Sequence, residues 1–419
     1  MRWLLRLFLW LICLYLGKQI IVYNYARYIE EQLEHNSGIT LGRDVTSYLS
    51  ANAHTKLAEQ AYRDGHFALS EQMALHALSN NISSGAPASY LLGLYSSQQR
   101  NEDASIVADI AGQLWPHHTY TRSRLADYWL TQQRIDRLIP EWNILLIRNP
   151  SLYKNLFPAL SSIIEKKEYQ SLFQPYLTKP PIWWNDFFLF ICNNATLDLV
   201  NKVYQLRLQA TPQAITEKEN LAYTNRLIRE KKWQQAYDIW EKNLHVSPNK
   251  SQTPSNLLYD GEFETTGFNS GFDWQIENHP VLTINKDRTY GINGRQALSI
   301  HLKKLEPINF QHIYHIMILP SGQYHFNMRY RLDNFKTSKG LQWHIRCIDD
   351  LQTTLFSSPL LKGQQTWQTF STTFNVPPTG CPVQLLRLEA ASAYRHEQFF
   401  DGTIWFDNIK VENTSERQD

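Results

Sequence analysis

Glu262 and Glu264 are the first residues whose types and spacing could do chemistry: two carboxylates at i,i+2, sharing one face of a strand. Glycoside hydrolysis needs its two carboxyl groups across a cleft at a fixed separation. A pair side by side on one strand reads instead as structural. His312 and His315 stand three apart in a strand-like segment, so they face opposite ways and do not share a metal. Asp349-Asp350 has the composition of a turn, and His117-His118 after Trp115-Pro116 that of a loop. The sequence has no G-x-S-x-G, no phosphate-cradling glycine loop, no H-E-x-x-H and no C-x-x-C. The expectation is a protein that is not an enzyme.

Binding chemistry is better represented. Residues 323–332 alternate without a fault: Tyr324, Phe326, Met328, Tyr330 and Leu332 on one face, His325, Asn327, Arg329 and Arg331 on the other. A sugar site on a sheet combines an aromatic platform with polar side chains on one face. Asn327, Arg329 and Arg331, with Arg346 and Arg387 from neighbouring strands, are the candidates, and His344 and Glu389 lie near them in the pattern. The arginines suit the carboxylates of an acidic polysaccharide. Trp367 has the opposite parity to Phe370, Phe374 and Val376, which offers it as the platform. The bland alternative is an ordinary solvated face. Trp274, Trp343 and Trp405 read as core.

The elements that would hold these residues emerge from pattern. Leu298, Ile300 and Leu302 alternate, as do Gln384, Leu386 and Leu388, so the last third reads as short antiparallel strands separated by Gly, Pro and Asn turns. Cys347 and Cys381 both fall there. In an oxidising compartment they would form a disulfide, worth roughly 3–4 kcal/mol in the chain-entropy picture. The alternative is two buried thiols. Cys13 and Cys192 read as apolar fillers.

Residues 26–250 carry a helical pattern. One segment runs from Lys232-Trp233 through Ala236, Trp240 and Leu244 to Pro248, preceded by a helix over 221–229; another runs from Gly65-His66-Phe67 through Ala74, Ala77 and Leu78. Small residues let paired helices approach and Pro ends the second one. Both segments resemble tetratricopeptide repeats. Between them the match is poor, with Trp115-Pro116, Ile139-Pro140, Asn149-Pro150 and Pro180-Pro181 as punctuation. Stacked hairpins of this kind imply protein partners on a concave face; an irregular helical bundle is the alternative.

Residues 1–25 read as a membrane segment, with Arg2 and Arg6 ahead of an uncharged run from Leu7 to Gly17, then Lys18 and Ile20-Ile21-Val22-Tyr23. That uncharged run alone is short of the roughly 20 residues a span takes. The expectation is one transmembrane helix with Arg6 and Lys18 snorkelling to opposite interfaces and the bulk of the chain outside the cytoplasm. A cleaved signal is disfavoured because no small-x-small site comes after the run.

Length and composition bound the rest. The 419 residues allow two or three domains, and 43% hydrophobic against 19% charged excludes a disordered chain. A net charge of +2 argues against general nucleic-acid binding. The fold class expected is α plus β: an N-terminal transmembrane helix (1–25), a helical array (26–250), a linker (251–255), an antiparallel β-sandwich (256–413) and a polar tail (414–419).

The sandwich opens with Asn256-Leu257-Leu258-Tyr259-Asp260-Gly261-Glu262-Phe263-Glu264 and closes with Gly402-Thr403-Ile404-Trp405-Phe406-Asp407-Asn408-Ile409. These ends resemble the galactose-binding-like sandwich of carbohydrate-binding modules attached to xylanases. The resemblance implies a jelly roll that binds polysaccharide without cleaving it. It also implies a structural calcium near the sandwich edge, with Glu264 and Asp407 as ligands; otherwise those carboxylates bond turn amides. The whole arrangement is similar to tetratricopeptide proteins found with bacterial exopolysaccharide systems. It implies an inner-membrane protein, single-pass and mostly periplasmic, that takes part in exopolysaccharide assembly or export. The rival readings are an assembly factor whose sandwich binds protein, and a glycan-processing enzyme.

Overall fold

A computed structural model of the chain describes residues 2–35, 49–116, 118–210, 215–244 and 256–414. The chain divides into two compact units, Met1–Ile191 with Gln205–Gln213, and Cys192–Tyr204 with Ala214–Asp419. Among the described residues thirteen α-helices precede two five-stranded antiparallel sheets. The stretch 251–255, read as the linker, and 415–419 of the tail lie outside the described residues, as does His117.

The helices are α1 (Arg2–His35), α2 (Ala51–Arg63), α3 (Phe67–Asn80), α4 (Gly85–Ser97), α5 (Asn101–Leu114), α6 (Thr119–Thr131), α7 (Ile135–Arg148), α8 (Tyr153–Glu165), α9 (Gln174–Thr178), α10 (Trp184–Asn194), α11 (Leu197–Gln209), α12 (Glu217–Arg229) and α13 (Trp233–Leu244). Helices α2/α3, α4/α5, α6/α7 and α12/α13 are antiparallel pairs closed by one turn. In each, a left-handed residue (Gly65, Gln99, Gln133, Lys231) follows the first helix. Its N–H donates to the carbonyl three residues back, at 3.2, 3.2, 3.0 and 3.0 Å. The next N–H donates to the carbonyl five back, at 2.8, 2.9, 2.9 and 2.8 Å. This is the Schellman closure, which satisfies orphan carbonyls at a helix end. Gly65, Gln99 and Gln133 are separated by 34 residues and again by 34. The middle of the array is therefore more regular than its side chains announce. Small residues fill the crossings: Ala58, Ala74, Ala77, Ala104, Ala108 and Ala111 are all buried.

Two sequence expectations are corrected here. Pro140 does not end a helix, because α7 runs through it to Arg148. A proline there removes one ladder bond, and burial of Leu138, Ile139, Trp142, Leu145 and Leu146 holds the helix together. The expected transmembrane span at 1–25 lies inside α1, and no helix among the described residues is long and apolar enough to cross a membrane. Its uncharged run stops at Lys18, and Gln19, Asn24 and Arg27 dilute the apolar character of the next turns.

The second unit is built on strands β1 (Gln275–Ile276), β2 (Leu282–Asp287), β3 (Ala297–Leu302), β4 (Ile313–Met317), β5 (Gly322–Lys336), β6 (Leu341–Cys347), β7 (Asp350–Ser357), β8 (Gly363–Val376), β9 (Gln384–Ala390) and β10 (Asp401–Asn413). One sheet has the order β1-β4-β9-β6-β7, the other β2-β3-β10-β5-β8. Period-two alternation sends Trp343, Ile345, Leu386 and Leu388 of the first sheet, and Phe326, Met328, Ile404 and Phe406 of the second, into one shared core. Trp274 lies in the same core, edge-on to Trp343 at 5.7 Å. Cys347 and Cys381 are joined by a disulfide that closes 34 residues of separation.

The helical hairpin α12/α13 belongs to this unit. Trp240 of α13 meets Tyr259 and Phe272 at 5.0 and 5.6 Å and donates its indole N–H to the Ser270 carbonyl at 3.1 Å. Gly271 sits under the indole with φ +61°, and a Cβ there would lie 2.2 Å from Trp240 Cδ1. Only glycine meets both demands.

Candidate functional site

The six residues nominated for ligand binding fall on opposite outward faces of the sandwich. Asn327, Arg329 and Arg331 stand on β5 and Trp367 on β8 of the second sheet, whereas Arg346 and Arg387 stand on β6 and β9 of the first. The polar strand face is a feature of each strand alone. Which strands share a sheet is decided by long-range pairing.

On the second sheet the candidates are engaged by their own chain. Arg331 is 3% exposed. Its guanidinium carbon lies 4.4 Å from the Tyr290 ring centre, 4.8 Å from Trp405 and 5.3 Å from Trp367. Asp333 accepts from its Nε and NH2 at 3.1 and 2.8 Å, and the Thr289 hydroxyl accepts from NH1 at 2.9 Å. Trp405 donates to Asp333 at 2.9 Å. Trp367 donates to the Tyr290 carbonyl at 2.7 Å, and Arg329 donates to the Gly291 carbonyl at 2.6 Å. Trp367 and two arginines thus clamp residues 289–291 onto the sheet, and the Tyr290, Trp367 and Trp405 rings around Arg331 account for a charged side chain being so deeply buried. Trp405, read as core from the sequence, is half-buried and outward. It stands directly opposite Arg331, while its neighbours Ile404 and Phe406 face inward. Alternation along β10 carried that signal.

The carboxylates assigned to calcium converge on the next part of the same loop. Glu264 Oε1 accepts from the backbone N–H of Arg295 at 2.6 Å and of Gln296 at 3.0 Å, and Oε2 from Arg295 Nε at 3.3 Å. Burial alone would raise its pKa, but these donors outweigh burial and hold it below the usual carboxylate range. Gly294 closes the cradle at φ +139°, where a Cβ would lie 2.3 Å from Glu264 Oε1. Asp407 is fully buried, and burial pushes its pKa up. Its Oδ2 accepts from the Asn293 N–H at 3.3 Å and from Arg329 at 3.4 Å, while Oδ1 is buried with no partner. Glu264 thus bonds turn amides and Arg295, and the oxygen left without a partner is Asp407 Oδ1. Among the described residues, no group of three or more His, Cys, Asp or Glu side chains is placed to hold a metal.

The outward face of the first sheet is arranged differently. Tyr314 (β4) stands opposite Arg387 (β9), Arg387 opposite His344 (β6), and His344 opposite Ser357 (β7). This row crosses four strands, about 14 Å at the usual strand spacing. Beside it, Glu389 stands opposite Gln342, and Arg346 opposite Leu385. Glu389 binds both arginines: Oε1 takes Arg387 at 2.8 Å and Oε2 takes Arg346 at 3.0 Å. Arg346 also donates to the Leu351 carbonyl at 2.9 Å, and its Nε is buried without a partner. His344 Nδ1 meets the Ser357 hydroxyl at 2.8 Å. Burial pushes the His344 pKa down, so the ring is neutral near pH 7. The result is a phenol, an imidazole, a hydroxyl, a carboxamide and two guanidinium groups on one face, with the two guanidinium groups held by one carboxylate. Such a set can exchange hydrogen bonds with a polyhydroxylated ligand lying across the strands. Sequence reasoning named Arg346 and Arg387 and missed Tyr314, whose partner strand was not legible.

Glu262, the other carboxylate of the opening motif, pairs with Lys410 at 3.4 Å. Asp350 accepts from the Gln352 N–H and the Thr353 hydroxyl within a turn. His315 faces inward, 2% exposed, edge-on to Trp274 at 5.2 Å.

No family profile matches the chain, and no curated protein matches it. Solved structures similar to its β-sandwich include carbohydrate-binding modules. A family 4 module is 18% identical, with 38% of this chain and 99% of that one covered at a TM-score of 0.27. A family 16 module is 17% identical, with 37% and 99% covered at a TM-score of 0.26. A family 6 module from the Cellvibrio mixtus lichenase 5A, solved with cellotriose, is 13% identical, with 33% and 92% covered at 0.21.

Proposed function

We propose that the β-sandwich is a glycan-binding module of the jelly-roll type, and that its ligand lies across Tyr314, Arg387, His344 and Ser357. One observation carries this reading: the transverse row places the Tyr314 ring beside a guanidinium, an imidazole and a hydroxyl on one outward face, with Arg387 held by Glu389 and His344 by Ser357. Preorganisation lowers the ordering cost of binding. The role is non-catalytic. Both oxygens of Glu389 are engaged by guanidinium groups, which gives it a positioning role on this face.

The helical hairpins support the second half of the proposal. Left-handed turn residues recurring every 34 residues match the tetratricopeptide period, and we assign this array to protein partners in exopolysaccharide assembly or export. The disulfide favours an extracytoplasmic, periplasmic setting. A structural calcium belongs to the same reading: Asp407 and Glu264 would hold it, and it would pin residues 291–296 against the sheet.

The test is a glycan array probed with the full chain, followed by Tyr314→Ala and Arg387→Ala. Binding to a polysaccharide, weakened at least about tenfold by each variant at unchanged melting temperature, supports the proposal (about 1.4 kcal/mol per tenfold). A folded chain that binds no glycan, or binds one equally well with both substitutions, refutes it.

A further inference from the structure

The uncharged run of α1 covers the 11 residues from Leu7 to Gly17. At 1.5 Å per residue it is about 16 Å long. That is about half of a hydrocarbon core some 30 Å thick, so the run is too short to cross and long enough to be immersed in one leaflet. Trp10 to Leu16 are exposed all round the helix, Trp10 at 71%. The helix is tied to its own unit farther along, where Ala26 packs with Leu49 and Ala53. Among the described residues none covers residues 10–16. An occupant must therefore surround the helix, as lipid does.

Charge chooses the kind of lipid. Arg2, Arg6, Lys18 and Arg27 precede the first acidic residue, Glu30. Cations thus flank the apolar run on both sides. A run that cannot reach the far interface must bring both flanks to the same one, and that surface must be anionic to pair with them. We infer that α1 lies in the interfacial plane of an anionic membrane, its 7–17 segment immersed in a single leaflet and its arginines and lysine at the headgroups. One immersed segment with a basic flank is the two-signal combination that gives stable attachment without a span. The inference does not depend on what the sandwich binds.

Cys13 is a built-in probe. It is exposed in the middle of the run. Cys192 is buried, with its thiol pushed up to about 12 by burial, and the other two cysteines are bonded to each other. A polar maleimide should therefore label Cys13 selectively. The experiment adds vesicles of phosphatidylcholine alone, or with 30% phosphatidylglycerol, to the full chain. It follows flotation and the labelling rate. With phosphatidylglycerol the protein floats and Cys13 labelling slows at least about tenfold; 0.5 M salt, or Arg6→Glu with Lys18→Glu, reverses both. In a Cys13→Ser background, Trp3→Cys and Tyr28→Cys are both labelled by an impermeant maleimide added outside the vesicles.

Three results would overturn the inference. The protein stays with the soluble fraction, or binds both vesicle types equally. Tyr28→Cys is labelled from outside and Trp3→Cys is not, which is a span. Cys13 becomes protected with rising protein concentration in the absence of lipid, which assigns the surface to a second copy of the chain.

Discussion

His344 stands directly opposite Arg387 in the β6–β9 ladder, an imidazole held neutral beside a guanidinium that is itself pinned by Glu389. Lowering the pH adds a second cation to that pair. Because burial depresses the His344 pKa, ligand binding should be constant above its ordinary value near 6.5 and change only in more acid solution. His344→Gln should remove that acid limb and keep most of the affinity at pH 7. Titration of glycan affinity from pH 8 to pH 4 checks this.

Acid stability has its own reporter in the core. His315 is buried against Trp274, and burial pushes its pKa down to about 4. A depressed histidine is neutral when folded and must be protonated on acid unfolding. Its contribution is complete above about 6.5 and is lost as the pH falls towards 4, reaching about 3 kcal/mol. The melting temperature should drop across that window, and His315→Met should flatten the drop.

Arg331→Ala should cost about 2–4 kcal/mol, because it empties a three-ring cage and leaves Asp333 without its ion pair. It sits on the sheet opposite to the proposed ligand face, so glycan affinity measured on the folded variant should be unchanged. Urea unfolding and affinity electrophoresis report the two quantities separately.

The helix turns predict a gain. Gln99 and Gln133 occupy the left-handed turn position at φ 59° and 55°. That region costs a non-glycine residue roughly 1–2 kcal/mol, and glycine enters it freely. Gln133→Gly should raise stability by about 0.5–1 kcal/mol, visible as a higher urea midpoint at constant slope. The same change one residue earlier, at Gln132, lies in right-handed backbone and should destabilise.

Removing the Cys347–Cys381 bond with Cys381→Ser should cost roughly 3–4 kcal/mol, and a reducing agent should lower the melting temperature of the parent chain to match. Calcium should raise that temperature in the parent and leave Asp407→Ala unaffected, since the orphan Oδ1 is the oxygen it would use. A chelator that changes nothing removes calcium from the proposal.

Much of the architecture was legible in local pattern. Alternation over Tyr324–Leu332 marked β5, and Tyr324, Phe326, Met328 and Leu332 are buried on its inward face, because a strand repeats every two residues wherever it sits. Helical hairpins were visible where bulky and small residues kept the expected offsets, around Phe67 and Trp240. They were lost around Gln99 and Gln133, because a Schellman turn is written in backbone dihedrals that glutamine does not advertise. The run Leu7–Gly17 announced an apolar helix, read as part of a membrane span; the helix forms, with Trp10–Leu16 exposed, and its length against the thickness of a bilayer is a matter of counting.

What the chain alone left open was adjacency. Arg331 and Arg346 look alike in sequence, each on the polar parity of a strand, yet one is caged beneath Tyr290 and the other faces outward beside Glu389 on the opposite sheet. The strand order β1-β4-β9-β6-β7 brings Tyr314 next to Arg387 across more than seventy residues of chain. Alternation says which side of a strand a residue takes. Only the pairing of strands distant in sequence, driven by burial of one shared core, says which other residues it meets there.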